Sequence, residues 1–316
     1  MAVGDVNAVS IGECRDIYAV DVGMYDLPNH ASVYVLDTPK PTIVETGTGA
    51  NAERVVHALT ELGIAAEDVA NIVLTHVHLD HAGGAAFLSR VCSNADVYVH
   101  EHGAPHLQDP DVLVEGTKRL VGEKGWNRYY VQPGSIEAHR LRPVVDGDVI
   151  DLGDRALRVC HAPGHAGHQV LLHSPSEDAV FTGDALGIYV PETDSIRAIS
   201  PPPAFDAEQA LADVETIRDL DPSTLLFSHY GAVPTEDRLD RARSAIVEWI
   251  QAVRDARETA EADGAVVAQF VESVEGPDRW SNIVAEVDTA MNVRGVLQYL
   301  DRQEGDELPA GFARRE

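Results

Sequence analysis

Over the first two-thirds of the chain, apolar residues recur mostly in short runs that signal strands; over the last third they recur with a helical period. SVYVLD (32–37) alternates apolar and polar positions for part of its length, the pattern of a half-buried strand. PTIVETG (41–47) reads as its hairpin partner, closed at a glycine. In AERVVHALTELG (52–63), Val55, Val56, Leu59 and Leu62 share one helical face, and Gly63 ends the helix. NIVLTH (71–76) is a short buried strand. Further strands are expected at 96–101, 156–162, 169–174 and 178–184, a helix at 206–219, and a last buried strand at 223–229. Residues 109–135 have weak periodicity and read as a mobile, partly helical insertion near the site.

This mixture of hairpins and helix-linked strands predicts a mixed α/β architecture, not a doubly wound Rossmann sheet. From about residue 233 the pattern changes. The segment 233–264 reads as one long helix with Leu239, Ala242, Ile246, Ile250 and Val253 as its apolar face. Residues 280–303 read as another, followed by a tail expected to fray. The expected division is a catalytic domain over 1–232 and a helical appendage over 233–316. The apolar faces of the appendage need a partner, either the protein's own core or a second copy, which allows a homodimer.

Composition narrows the partners. The 316 residues include 52 Asp and Glu against 24 Lys and Arg, a net charge of −28. Such a chain repels nucleic acid and anionic membrane, so neither is an expected partner. Lys40, Lys118 and Lys124 are the only lysines. Acidic excess with so little lysine is expected of a protein adapted to high salt, where screening relieves the self-repulsion. Cys14, Cys92 and Cys160 are far apart and in no CxxC spacing, which fits a reducing, cytoplasmic compartment. The start, MAVGDVNAVS, does not read as a signal peptide, and no apolar run is long enough to predict a membrane span.

The chemistry is concentrated in THVHLDHAGG (75–84). In an extended loop, residues two apart point the same way, so His76 and His78 can converge on one ion. Asp80 and His81 follow as the chain turns and can face a second. Gly83 and Gly84 allow a tight turn into the next helix. Imidazole with carboxylate suits zinc, and also iron or manganese. These four cannot saturate two ions, so further ligands must come from elsewhere. CHAPGHAGH (160–168) offers His161, His165 and His168; FTGDALG (181–187) offers Asp184; LLFSHYG (225–231) offers His229. Each lies near the C-terminal end of an expected strand, where a rigid scaffold can hold it.

THxHxDHxGG, PGHxxGH, FTGD and SHxG, in this order, resemble the metallo-β-lactamase superfamily, and within it the glyoxalase II-like branch. VYVHEHGAPHLQDP and SPPPAFD look like a little-characterised group of archaeal and bacterial metallo-hydrolases in that branch. The resemblance covers roughly residues 13–232. It implies a four-layer αββα sandwich with metals at one edge. By the same resemblance His76, His78 and His165 bind one metal, Asp80, His81 and His229 bind a second, and Asp184 bridges them. The ions implied are zinc, with iron or manganese as alternatives. The implied activity is hydrolysis of an ester-type bond (thioester, ester or lactone) in a small-molecule substrate by a metal-bridging hydroxide, with Asp80 as the catalytic group that orients it. Other readings remain open: a mononuclear iron persulfide dioxygenase-like oxidoreductase, or a phosphodiesterase. His161 reads as a strand-end residue and the histidines of HEHGAPH (100–106) as a helix start in the site wall. His30, His168, Tyr189 and Tyr230 flank the site loops and are the candidate substrate contacts.

Overall fold

The computed structural model describes residues 3–9, 16–274 and 287–305. Cys14, the first residues of the helix expected from 280, and the tail beyond 305 lie outside the described residues. A first sheet runs in chain order: β1 (Val6–Ala8), β2 (Ile17–Asp21), β3 (Ser32–Leu36), β4 (Thr42–Val44), β5 (Asn71–Val73), β6 (Asp96–His100) and β7 (Leu141–Val144). It is antiparallel from β1 to β4 and parallel from there to β7. The crossovers between its parallel strands carry α1 (Ala52–Glu61), α2 (Ala85–Val91), α3 (Ala104–Gln108) and α4 (Asp111–Tyr129).

The second sheet comprises β8 (Val149–Asp151), β9 (Ala156–His161), β10 (Val170–Ser174), β11 (Ala179–Gly183), β14 (Thr224–Phe227) and β15 (Gly231–Pro234), in the order β15-β14-β11-β10-β9-β8. A small hairpin, β12 (Ile188–Val190) with β13 (Ser195–Arg197), stands apart. α5 (Ala207–Leu220), α6 (Arg238–Thr259), α7 (Asp263–Ser273) and α8 (Thr289–Gly305) complete the described elements.

Side-chain alternation explains why four layers form. In β3, Val33 and Val35 face the layer of α1–α4, whereas Tyr34 and Leu36 face the second sheet. In β11 and β14, Phe181 and Leu226 fill the space between the sheets, whereas Val180, Leu225 and Phe227 meet α5 and the C-terminal helices. Strands apolar on both faces must be covered twice, and an αββα sandwich does this. Each fully buried side chain of this size contributes about 1.5–3 kcal/mol. The half-buried strand expected at 32–37 is therefore buried throughout β3, because a helix layer lies where solvent was expected.

The expected helical face of Leu239, Ala242, Ile246, Ile250 and Val253 is buried against the second sheet's helix layer. The single helix expected over 233–264 is divided: Val233 and Pro234 finish edge strand β15, α6 begins at Arg238, and α7 follows a break after Thr259. In the insertion, helical geometry is interrupted at Gly122 (φ 70°, ψ 168°), which accounts for the weak periodicity there. Among the described residues no helix is long and apolar enough to cross a membrane.

The sheets are stitched together along one edge. Tyr34 Oη donates to the Phe227 carbonyl (2.7 Å), Ser32 N to the Ser228 carbonyl (2.8 Å), and Val170 N to the Thr75 carbonyl (2.8 Å). The loops leaving β5, β9, β11 and β14 converge there.

Candidate metal centre

Leu74 N donates to the Tyr98 carbonyl, so the chain is still held against the first sheet as it enters the histidine loop. The loop then coils: Ala82 N and His81 N both donate to the His78 carbonyl. It closes on glycine, since a Cβ at Gly83 would lie 2.2 Å from the Leu79 carbonyl oxygen and one at Gly84 2.7 Å from that of Thr46. His76 and His78 leave this turn on one side. Their Nε2 and Nδ1 atoms are 3.1 Å apart, and His165 Nε2 lies 3.0 Å from the same His78 Nδ1.

On the other side stand Asp80, His81 and His229. Asp80 Oδ2 is 3.6 Å from His81 Nε2 and 3.7 Å from His229 Nε2. Asp184 stands between the groups. Its Oδ1 is 3.4 Å from His81 Nε2 and 3.6 Å from His229 Nε2; its Oδ2 is 3.3 Å from His165 Nε2 and 3.9 Å from His76 Nε2. All seven residues expected to be ligands are thus brought together. The sets His76–His78–His165 and Asp80–His81–His229 each place ligand atoms close enough to share an ion.

The rings are aimed by buried partners. Glu45 is 1 % exposed and its Oε1 lies 3.5 Å from His81 Nδ1. It accepts from the Ser228 hydroxyl (3.1 Å) and from the Thr75 hydroxyl. With its proton committed to Glu45, Thr75 Oγ1 is left to accept from His76 Nδ1–H at 3.0 Å. His229 Nδ1 donates to the His30 carbonyl at 2.9 Å. In both rings the Nδ1 proton is anchored and Nε2 faces the centre, as a metal-ligating tautomer requires. Asp184 N donates to Gln169 Oε1 (3.1 Å). Gly164 N, just before His165, donates to Asp213 Oδ2 of α5 (2.7 Å). Glycine is required at 164, because a Cβ would lie 2.3 Å from the Ala210 backbone.

Electrostatics mark the centre as a cation site. Burial alone pushes the Asp80 and Asp184 carboxyls up, but the facing histidines hold both well below the usual carboxylate range. Burial pushes His165 down to about 3 and drives His76 well below its usual value, so both rings are neutral and able to ligate. His81 Nε2, Asp184 Oδ1 and Glu45 Oε2 are buried with no hydrogen-bond partner. Orphaned buried atoms of this kind are costly unless something binds them, and a histidine–carboxylate set suits divalent zinc, iron or manganese.

The candidate substrate contacts fall in different places. His168 is half-buried in the site wall, its ring 5.7 Å from that of His78 and 6.2 Å from that of His76. His30 has no exposed surface; its ring lies between those of Tyr25 (5.8 Å) and His229 (5.9 Å). The Tyr189 hydroxyl donates to Asp194 (3.0 Å), and Tyr230 is buried with its phenol near that of Tyr34. His100 and His161 stack at 4.3 Å, and α3 starts beside them as the sequence suggested; among the described residues, no group able to hold a metal includes them. Glu45 and Asp213 were not foreseen. For Glu45 a signal existed: an acidic residue between a buried strand and a glycine turn.

An αββα sandwich that gathers these histidines and carboxylates where its two sheets meet defines a protein built to hold divalent metals. The chain belongs to the metallo-β-lactamase superfamily, whose model matches residues 26–229. It is 27% identical over 226 residues to a metallo-β-lactamase fold-containing protein, ST1585, of Sulfurisphaera tokodaii, covering 70% of this chain and 80% of that one. It is 28% identical over 186 residues to the human acyl-coenzyme A thioesterase MBLAC2, covering 54% of this chain and 63% of the human protein. The crystal structure of the archaeal ST1585 protein superposes with a TM-score of 0.68, at 21% identity, covering 90% of this chain and 99% of that one. A Thermus thermophilus family member, TTHA1429, superposes at 0.61, at 22% identity, covering 87% and 89%.

Proposed function

We propose that the protein is a dinuclear metal-dependent hydrolase of the glyoxalase II-like branch that cleaves an ester-type bond, a thioester, ester or lactone, in a small molecule. The observation that carries this reading is the two-sided contact of Asp184, one oxygen toward each histidine group. A carboxylate so placed can bridge two ions, one per histidine group. The reading of the acyl bond is supported by the human relative, a thioesterase. His76, His78 and His165 would hold one ion, Asp80, His81 and His229 the other, and Asp184 both. Ions bound there, most simply zinc, supply Lewis acidity and an acidified water as nucleophile.

The chain's own groups do the rest. Asp80 is the ligand carboxylate with an exposed edge, its side chain 24% accessible. Its Oδ2 faces His81 and His229, which leaves Oδ1 to orient the attacking water and accept its proton. As the acyl carbon gains the water oxygen and loses its alkoxide or thiolate, the same carboxyl returns the proton to the leaving group. Glu45, Thr75 and the His30 carbonyl keep the rings fixed while charge moves.

The acidic, lysine-poor composition supports adaptation to high salt and the scattered cysteines a cytoplasmic location; the chemistry lies within residues 1–232, with the helices from Arg238 onward as the appendage. The direct test screens the metal-loaded chain, in high salt, against thioesters, lactones and phosphodiesters. Acyl hydrolysis that disappears in His76→Ala and Asp184→Ala is expected. Phosphodiester cleavage alone, or activity surviving both substitutions, overturns the reading.

A further inference from the structure

The centre described above accounts for metals and nucleophile and leaves open what meets the substrate's acyl oxygen. We propose that the hydroxyls of Tyr25 and Tyr130 form a hydrogen-bonding subsite for that oxygen, and that the insertion of residues 109–135 exists in part to deliver Tyr130 to it. The inference rests on the acyl-hydrolase reading.

Proton counting is the first argument. Tyr25 Oη and Tyr130 Oη are 2.8 Å apart, and either can be the donor. Two hydroxyls carry two protons, and their shared bond uses one. Among the described residues neither hydroxyl makes another hydrogen bond, which leaves one O–H of the pair without a partner among them, on residues only 7% and 8% exposed. Three other hydroxyls near the centre have fixed acceptors: Thr75 and Ser228 donate to Glu45, and Tyr189 donates to Asp194.

Position is the second argument. Tyr25 packs on His30, which packs on His229, so the pair stands one ring away from the Asp80–His81–His229 side of the centre. Burial pushes both phenols well above their ordinary range. The charges of Asp80 and Asp288 add to this in each case, which places both hydroxyls within electrostatic reach of the cleft carboxylate. Both phenols therefore keep their protons: one accepts from the other, and the pair has one proton left to donate.

The third argument is how firmly the pair is held. Tyr25 has φ 58° and ψ 25°, a left-handed conformation rare for a bulky side chain, and such strain gathers at functional sites. Its loop is pinned by the buried Asp21 carboxylate, which accepts from Gly23 N (2.9 Å) and Asn29 N (2.7 Å). Tyr130 follows α4 directly, its ring stacked on Trp126 at 5.7 Å and 5°. Preorganised donors of this kind stabilise the negative charge that develops on an acyl oxygen, and the proton stays on the phenol throughout.

The test compares Tyr25→Phe, Tyr130→Phe and the double variant with the wild type, each as the full, metal-loaded chain, on the acyl substrate that the screen identifies. The double variant, which leaves no phenol proton, is expected to lower kcat about 100-fold, with KM, metal content and melting temperature little changed. Each single variant is expected to lose less, because the phenol that remains keeps one proton to donate. A kcat within threefold of wild type in the double variant overturns the proposal, as does a loss that tracks lost metal or a lowered melting temperature. A wild-type chain that holds two metals and hydrolyses no acyl substrate overturns the functional reading, and this inference with it.

Discussion

Gly164 lies at the join between sequence, packing and chemistry, and Gly164→Ala perturbs all three. The added Cβ would sit 2.3 Å from both Ala210 N and Ala210 Cα, and 2.7 Å from Asp213 Oδ2. Ordinary carbon contacts lie near 3.5–4 Å, so the overlap exceeds about 1 Å, and the first two obstacles are helix backbone. Either α5 shifts, although Ala207, Ala210, Val214 and Ile217 anchor it in the core, or the loop carrying His165 backs away. The loop is the softer side. Overpacking of this kind costs about 1–3 kcal/mol or more, which at roughly 2 °C per kcal/mol lowers the melting temperature by about 2–6 °C. The larger effect falls on chemistry. Retreat of the loop breaks the 2.7 Å bond from Gly164 N to Asp213 and carries His165 Nε2 from its place 3.0 Å from His78 Nδ1. A displacement near 1 Å costs on the order of 100-fold in rate. Metal content by elemental analysis, melting temperature and kcat/KM are measured on the same preparation. A variant that keeps its full metal content, melts within 1 °C of wild type and retains activity would refute the reasoning.

Glu45→Gln keeps the shape of the buried clamp and removes its charge; binding of the ion on the His81 side is expected to weaken about 10–100-fold, measured by chelator competition, and unchanged affinity contradicts the clamp. Asp213 titrates at about 6, raised by burial against an ordinary 3.8. The folded state then holds this proton more tightly than the unfolded chain, so its stabilising contribution is full below pH 4 and is lost as pH rises to about 6. Against Asp213→Asn, the wild type should lose relative stability between pH 4 and 6, by up to about 3 kcal/mol, and change little above; a relative gain over that window disproves the assignment. The charge of −28 predicts a higher melting temperature in molar salt than in about 10 mM salt; a fall on adding salt contradicts it.

The cluster of seven candidate ligands was legible because its residues have few alternative uses. Histidines in THVHLDH, and His165, Asp184 and His229 after apolar runs, carry their chemistry in their types and order, and the structure brings all seven together. Strand positions were legible for a similar reason: short apolar runs such as those at β3, β9, β10 and β11 have few other fates. What surrounds the ligands was not legible. Tyr25 and Tyr130 are 105 positions apart and meet only because a left-handed turn and a helix broken at Gly122 bring them together. Glu45 reads in the sequence as part of the strand 41–47, and its role depends on Thr75 and Ser228, which follow other strands. β15 was absorbed into the following helix because Gly231–Pro234 is too short to establish a period, and its pairing with β14 is set by tertiary contact. Burial of β3 on both faces is likewise a property of the layers, not of its own alternation.

The most direct test of the central claim is a metal titration. The chain is stripped by chelator, then titrated with zinc, and separately with iron and manganese, while bound metal and acyl hydrolysis are followed together. Two bound ions per chain are predicted, with full activity reached only at the second equivalent and Asp184→Asn unable to reach it. Full activity at one equivalent, or persulfide oxidation by a single iron in place of hydrolysis, would contradict the account.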